Sequence, residues 1–139
     1  MKKIFMICLL NIKLIYIFLT LFISVHCPQS INEHRSEIKL VIKGPGFFNY
    51  LSDSFYLNAS EVIVNGESIT SINKKCKFED GLNNVTIKFD TQINSCKKMF
   101  SGLANITEID LSNLDTSQVT NMNSMFSGCT SLEKRILEI

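Results

Sequence analysis

From Glu37 onward, apolar and polar residues alternate in short runs, the two-residue period of strands with one buried face. Ile38, Leu40 and Ile42 stand against polar neighbours, with Val41 the exception, and Gly44-Pro45-Gly46 closes the run in a turn. Glu61 to Val64 and Glu67 to Ile72 flank Asn65-Gly66, a pair suited to the two left-handed positions of a type I′ hairpin. Val85, Ile87 and Phe89 alternate in a further run. Strands are therefore expected at 38–43, 61–64, 67–72 and 85–89, forming a small antiparallel sheet. Phe47 to Leu57 carries a dense aromatic cluster that reads as core packing, or alternatively as a face on which carbohydrate stacks.

Beyond Phe89 a longer period takes over. Met99-Phe100-Ser101-Gly102 returns as Met125-Phe126-Ser127-Gly128, a spacing of 26 residues from Met99 to Met125. At the same offset Thr91-Gln92-Ile93 matches Ser117-Gln118-Val119, and Ile106 matches Leu132. A fixed period of this size marks stacked units, each too thin to bury its own apolar face. Ile106-Thr107-Glu108-Ile109-Asp110-Leu111 has the L-x-x-L-x-L form of a leucine-rich-repeat strand, in which Ile109 and Leu111 point inward. The expected repeat core is Met99, Phe100, Ile106, Ile109, Leu111, Met122, Met125, Phe126 and Leu132.

Ile109-Asp110-Leu111-Ser112, Asp115-Thr116-Ser117, Val119-Thr120, Met122, Met125-Phe126, Cys129 and Leu132 together resemble one unit of the BspA-type leucine-rich-repeat surface proteins, whose repeat has the form IDLSxxDTSxVTxMxxMFxxCxxL. The resemblance spans about a third of the chain. It implies a surface or secreted protein with a part in attachment. The pattern breaks at Glu133 to Ile139, where Arg135 falls in the slot that Ile109 fills one unit earlier. An unpaired buried charge costs several kcal/mol, of order 3 or more. The chain is therefore expected to leave the repeat path after Leu132, with 133–139 fraying or folding over the open end.

The N-terminus changes the picture of where such a protein resides. Met1-Lys2-Lys3 precedes an apolar stretch from Ile4 to Val25, broken by Lys13, which reads as a hydrophobic helix serving as signal peptide or membrane anchor. The expected organisation is a leader at 1–27, a linker at 28–36, a β-rich cap at 37–90 and repeats with an atypical tail at 91–139. The fold class is mainly β: an antiparallel cap on a short, truncated leucine-rich-repeat-like solenoid, preceded by the leader helix. The cap covers the open end of the repeats, which otherwise exposes core and sheet edge.

Composition narrows the chemistry. A net charge of +1 on 139 residues supplies no field for nucleic acid, and membrane contact is expected only through the N-terminal segment. The five cysteines form no C-x-x-C pair. Cys96 and Cys129 read as small buried apolar residues at repeat positions, with a Cys76–Cys96 disulfide in an exported chain as the alternative. Both histidines, His26 and His34, lie beside the leader junction without a nucleophile to serve, so no catalytic residues and no cofactor are assigned. Asp110 and Asp115 lack calcium-loop spacing and are expected to tie down turns, leaving no metal site. Asn58, Asn84 and Asn105 head N-x-[ST] sequons, which are glycosylation acceptors only in an exporting eukaryote.

The function expected from these features is a secreted or cell-surface binding and adhesion module, not an enzyme, that engages a protein or glycan ligand through its exposed strand face. The alternative is a truncated fragment of a longer repeat protein without independent function, since about three repeats are normally needed for a stable stack.

Overall fold

The computed structural model describes residues 36–69 and 73–136. The leader, the linker up to Arg35 and both histidines lie outside the described residues. Eight strands are present: β1 (Ser36–Lys43), β2 (Gly46–Asn49), β3 (Glu61–Val64), β4 (Glu67–Ile69), β5 (Lys75–Phe78), β6 (Leu82–Phe89), β7 (Ile106–Asp110) and β8 (Lys134–Ile136). There is no helix among the described residues. The fold is mainly β, as expected. Strands 38–43 and 85–89 emerge slightly longer, as β1 and β6, and the 61–64 strand keeps its limits as β3. Of the expected 67–72 strand, β4 covers 67–69 and the rest lies outside the described residues.

One open six-stranded sheet runs β4-β3-β6-β1-β7-β8, and β2 pairs with β5 in a separate ribbon. At the hairpin tip Asn65 and Gly66 have φ of 52° and 90°, the left-handed pair that a type I′ turn requires. β1 holds the sheet together. Its buried face sets Ile38 opposite Ile87 and Leu40 opposite Val85 on β6, while its other edge takes β7 with Leu40 opposite Ile109. A bulge between Val41 and Ile42 absorbs a register shift there, and the Thr107 hydroxyl donates to the Val41 carbonyl at 3.1 Å. Strands from residues 37–90 and from the repeated region thus share one sheet and one core, in which Ile38, Ile42, Phe78, Ile87, Phe89, Met99, Phe100 and Ile106 are all fully buried. The aromatic cluster joins it in part: Tyr50 and Phe55 are buried and Phe48, half-buried, packs against the core, whereas Phe47 and Tyr56 remain exposed.

The 26-residue period is written into the backbone. Amides of Met99, Ser101 and Leu103 donate to carbonyls three residues earlier, and so do those of Met125, Ser127 and Cys129. Lys98 and Ser124 share φ near 57°, and Gly102 and Gly128 share φ near 80°. The two copies also bond to each other. Cys96, Lys98, Phe100 and Gly102 donate to the carbonyls of Asn121, Asn123, Met125 and Ser127 at 2.7–3.0 Å. The rings of Phe100 and Phe126 lie parallel, with centroids 6.0 Å apart.

The last turn of the chain departs from expectation. Far from leaving the repeat path, Lys134–Ile136 forms β8, parallel to β7 with Arg135 opposite Ile109. The slot that Arg135 fills is not buried. Arg135 is exposed, its guanidinium 5.7 Å from the Phe126 ring centroid, so the charge stays hydrated while lying over the ring. Met122 corrects the core list for the same reason. It is 45% exposed, whereas Cys96, one period earlier, is 0% exposed beneath the second copy. Phe126 and Leu132 are half-buried; the other expected core residues are buried. The Cys76–Cys96 bridge is not formed, and Cys76, Cys96 and Cys129 are free thiols.

Candidate binding face

Because β1, β6 and β7 alternate, the residues between their buried positions form a second face of the sheet, turned to solvent. Cross-strand register arranges these residues in rows. One row runs Ile63, Thr86, Lys39, Asp110, Ile136 across five strands, and a neighbouring row runs Asn84, Val41, Glu108, Lys134. Where the rows meet, the surface dips into a groove of about 350 Å³. Val41, Thr86 and Ile136 contribute its apolar strip, bordered by Lys39, Glu108, Asp110 and Lys134.

The charges alternate and largely satisfy one another. Lys134 Nζ lies 3.2 Å from Glu108 Oε2, Lys39 Nζ 3.4 Å from Glu37, and Lys88 Nζ 2.9 Å from Glu61 Oε2 at the margin. Asp110 is held most firmly. The Ser112 hydroxyl donates to its carboxylate at 2.6 Å and the Ser112 amide at 3.0 Å. These bonds, with the nearby Lys39 and Lys134 cations, lower its pKa below the ordinary aspartate value. The face therefore presents fixed charges of both signs around an apolar strip. Charges held in this way can orient a ligand of complementary pattern.

The sequence-predicted site residues are scattered. Asn58 and Asn84 are exposed, Asn84 within the groove, and Asn105 is half-buried with its carbonyl accepting from the Lys43 amide. Cys76 and Cys96 sit in apolar surroundings that push their thiols up to about 11, and burial also raises that of Cys129, which donates to the Phe100 carbonyl at 3.0 Å. Among the described residues no cluster of His, Cys, Asp and Glu is arranged to hold a metal, and no helix is long and apolar enough to cross a membrane. The contribution of β1 to the face was not foreseen. Its one signal was Val41, an apolar residue on the polar side of an otherwise regular strand.

Residues 57–138 match a protein family described as "Mycoplasma protein of unknown function, DUF285", which covers well over half of the chain. No protein of curated function and no solved structure matches the chain.

Proposed function

We propose that this chain, which belongs to the DUF285 family of Mycoplasma proteins of unknown function, is a cell-surface or secreted binding module that attaches to its partner through the outer face of the sheet. The observation that carries the reading is the groove where cap strand β1 meets repeat strands β7 and β8, with an apolar strip between fixed opposite charges. We read residues 91–136 as a short solenoid of the BspA leucine-rich-repeat type. The turns repeated at the 26-residue offset and the hydrogen bonds between the two copies support that reading. The apolar leader from Ile4 to Val25 supports export, as signal peptide or anchor. At the groove a protein partner is favoured over a glycan. Its lining carries Val41, Thr86 and Ile136 among paired charges and no aromatic ring for a sugar to stack on.

Two measurements test this. Residues 1–40 fused to a reporter should deliver it outside the cytoplasm, and a reporter that stays wholly cytosolic defeats the surface assignment. The full chain displayed on cells should promote attachment to host-cell monolayers. The Lys39→Glu, Lys134→Glu double variant should lower attachment by at least about tenfold at unchanged display, since like charges placed at an interface cost several kcal/mol. Undiminished attachment removes the groove from the reading.

A further inference from the structure

We propose that a second site, beside Tyr56, binds acidic carbohydrate: a sugar carrying a carboxylate or a sulfate. Tyr56 is 53% exposed, yet its ring is fixed. The hydroxyl donates to Asn94 Oδ1 at 2.8 Å and accepts from the Asn94 amide at 3.3 Å. The ring makes an edge-to-face contact with Phe55, at a centroid distance of 5.1 Å and 69° between planes, and Phe55 itself is buried. A ring held in this way with half its surface in water gives a sugar a stacking surface at little entropic cost.

The ring opens onto a pocket of about 460 Å³ lined otherwise by Ser54, Asn94, Ser95, Lys97 and Lys98. The hydroxyls and amide are of the kind that pair with sugar hydroxyls, and the lysines set the sign of charge. No described carboxylate lies within ion-pair distance of Lys97 or Lys98. Asp53, close to Tyr56 in sequence, is engaged by Asn49 at 2.8 Å and by Lys75 at 3.8 Å. Lys98 is placed by its backbone, with φ of 57° and its amide bonded to the Asn123 carbonyl at 3.0 Å. A neutral sugar needs no lysines, and a bare phosphate or sulfate needs no ring; the two together point to an acidic saccharide. None of these residues lines the groove, so the two sites stand or fall separately.

The test is calorimetric titration of the full chain, in mild detergent, with a heparin-derived hexasaccharide, an oligogalacturonate, neutral maltohexaose and a single-stranded DNA of matched charge. Binding of either acidic saccharide, weakening as salt rises, with no binding of maltohexaose and weaker binding of DNA, is the expected result. Tyr56→Ala should lower affinity for the acidic saccharide by roughly tenfold, the scale of one aromatic contact, and Tyr56→Phe should retain most of it. Lys97→Gln with Lys98→Gln should abolish binding without moving the melting temperature, and this arm decides if Tyr56→Ala fails to fold. The site is refuted if maltohexaose or DNA binds as tightly as the acidic saccharides, if none binds, or if the lysine pair is dispensable.

Discussion

The first and second copies of the repeat have nearly the same backbone and very different surroundings. Cys96 is sealed and Met122 half open; Phe100 is buried and Phe126 partly wetted; Ile109 is buried and Arg135 lies in water. Each pair occupies one repeat position. The difference is what lies beyond: the first copy is covered by the second, while no described residue forms a coil beyond the second. In stacked units burial belongs to the interface, so a position is apolar only where a neighbour covers it. The sharpest break is therefore at the strand pair. Ile109→Ala should cost about 2–5 kcal/mol and unfold the domain or nearly so. Arg135→Ala, on the adjacent strand in matching register, should cost under about 1 kcal/mol, chiefly the lost contact with Phe126. Equal losses in a thermal or urea melt would mean that the second copy is sealed too.

The glycines reverse the asymmetry. Gly102 and Gly128 both hold φ near 80°, where a side chain is strained by roughly 1–2 kcal/mol. A Cβ on Gly102 meets nothing within 4 Å, but one on Gly128 comes within 3.2 Å of Gly102 Cα. Backbone on both sides leaves little room to yield. Gly128→Ala should therefore destabilise more than Gly102→Ala, by about 1 kcal/mol beyond the shared strain. If the two variants melt together, the copies are not in the close contact that the hydrogen bonds between them describe.

That contrast also explains what was legible in the sequence. The alternation of Ile38, Leu40 and Ile42 and the Asn65-Gly66 turn are local signals, and they located β1, β6 and the hairpin. The repeat was visible as self-similarity. The β2–β5 ribbon was not, because Phe47 and Phe48 sit side by side in an aromatic run and Lys75 to Phe78 lies in a stretch dominated by charged residues. Its alternation is real but brief, with Lys75 and Lys77 outward and Cys76 and Phe78 inward. Pairing of β1 with β7 joins residues more than sixty positions apart, which no local pattern encodes. It is this pairing that assembles the groove, so the face was foreseen only for its repeat strands. Arg135 and Met122 were misjudged because periodicity gives a slot its direction and says nothing about its cover.

Acid should report on one side of the comparison. Asp110, at the end of the inner strand β7, is bonded by Ser112, and its folded pKa is lowered. A lowered carboxylate contributes stability above its unfolded pKa, near 3.9, and loses it as pH falls through the folded value. Below about pH 4 the melting temperature should thus decline in part through this residue. Asp110→Asn should be less stable at neutral pH and show a shallower acid limb. An acid limb of unchanged slope would place the sensitivity in other carboxylates.

The smallest effect separates an edge pair from an interior one. Glu108 and Lys134 bridge β7 to the edge strand β8 at 3.2 Å, while Glu61 and Lys88 bridge β3 to β6 within the sheet at 2.9 Å. Lys134 is well exposed, whereas Lys88 is mostly covered. Water screens the first pair more strongly, and β8 has a strand on only one side to fix its geometry. Double-mutant cycles to Ala should give a coupling of about 0.2–0.5 kcal/mol for Glu108–Lys134 and up to about 1 kcal/mol for Glu61–Lys88. Raising salt should erase the first before the second, since exposed charges are screened first. A larger, salt-resistant coupling at Glu108–Lys134 would mean that β8 is held as rigidly as the inner strands. The groove it borders would then be a preformed site along its whole length.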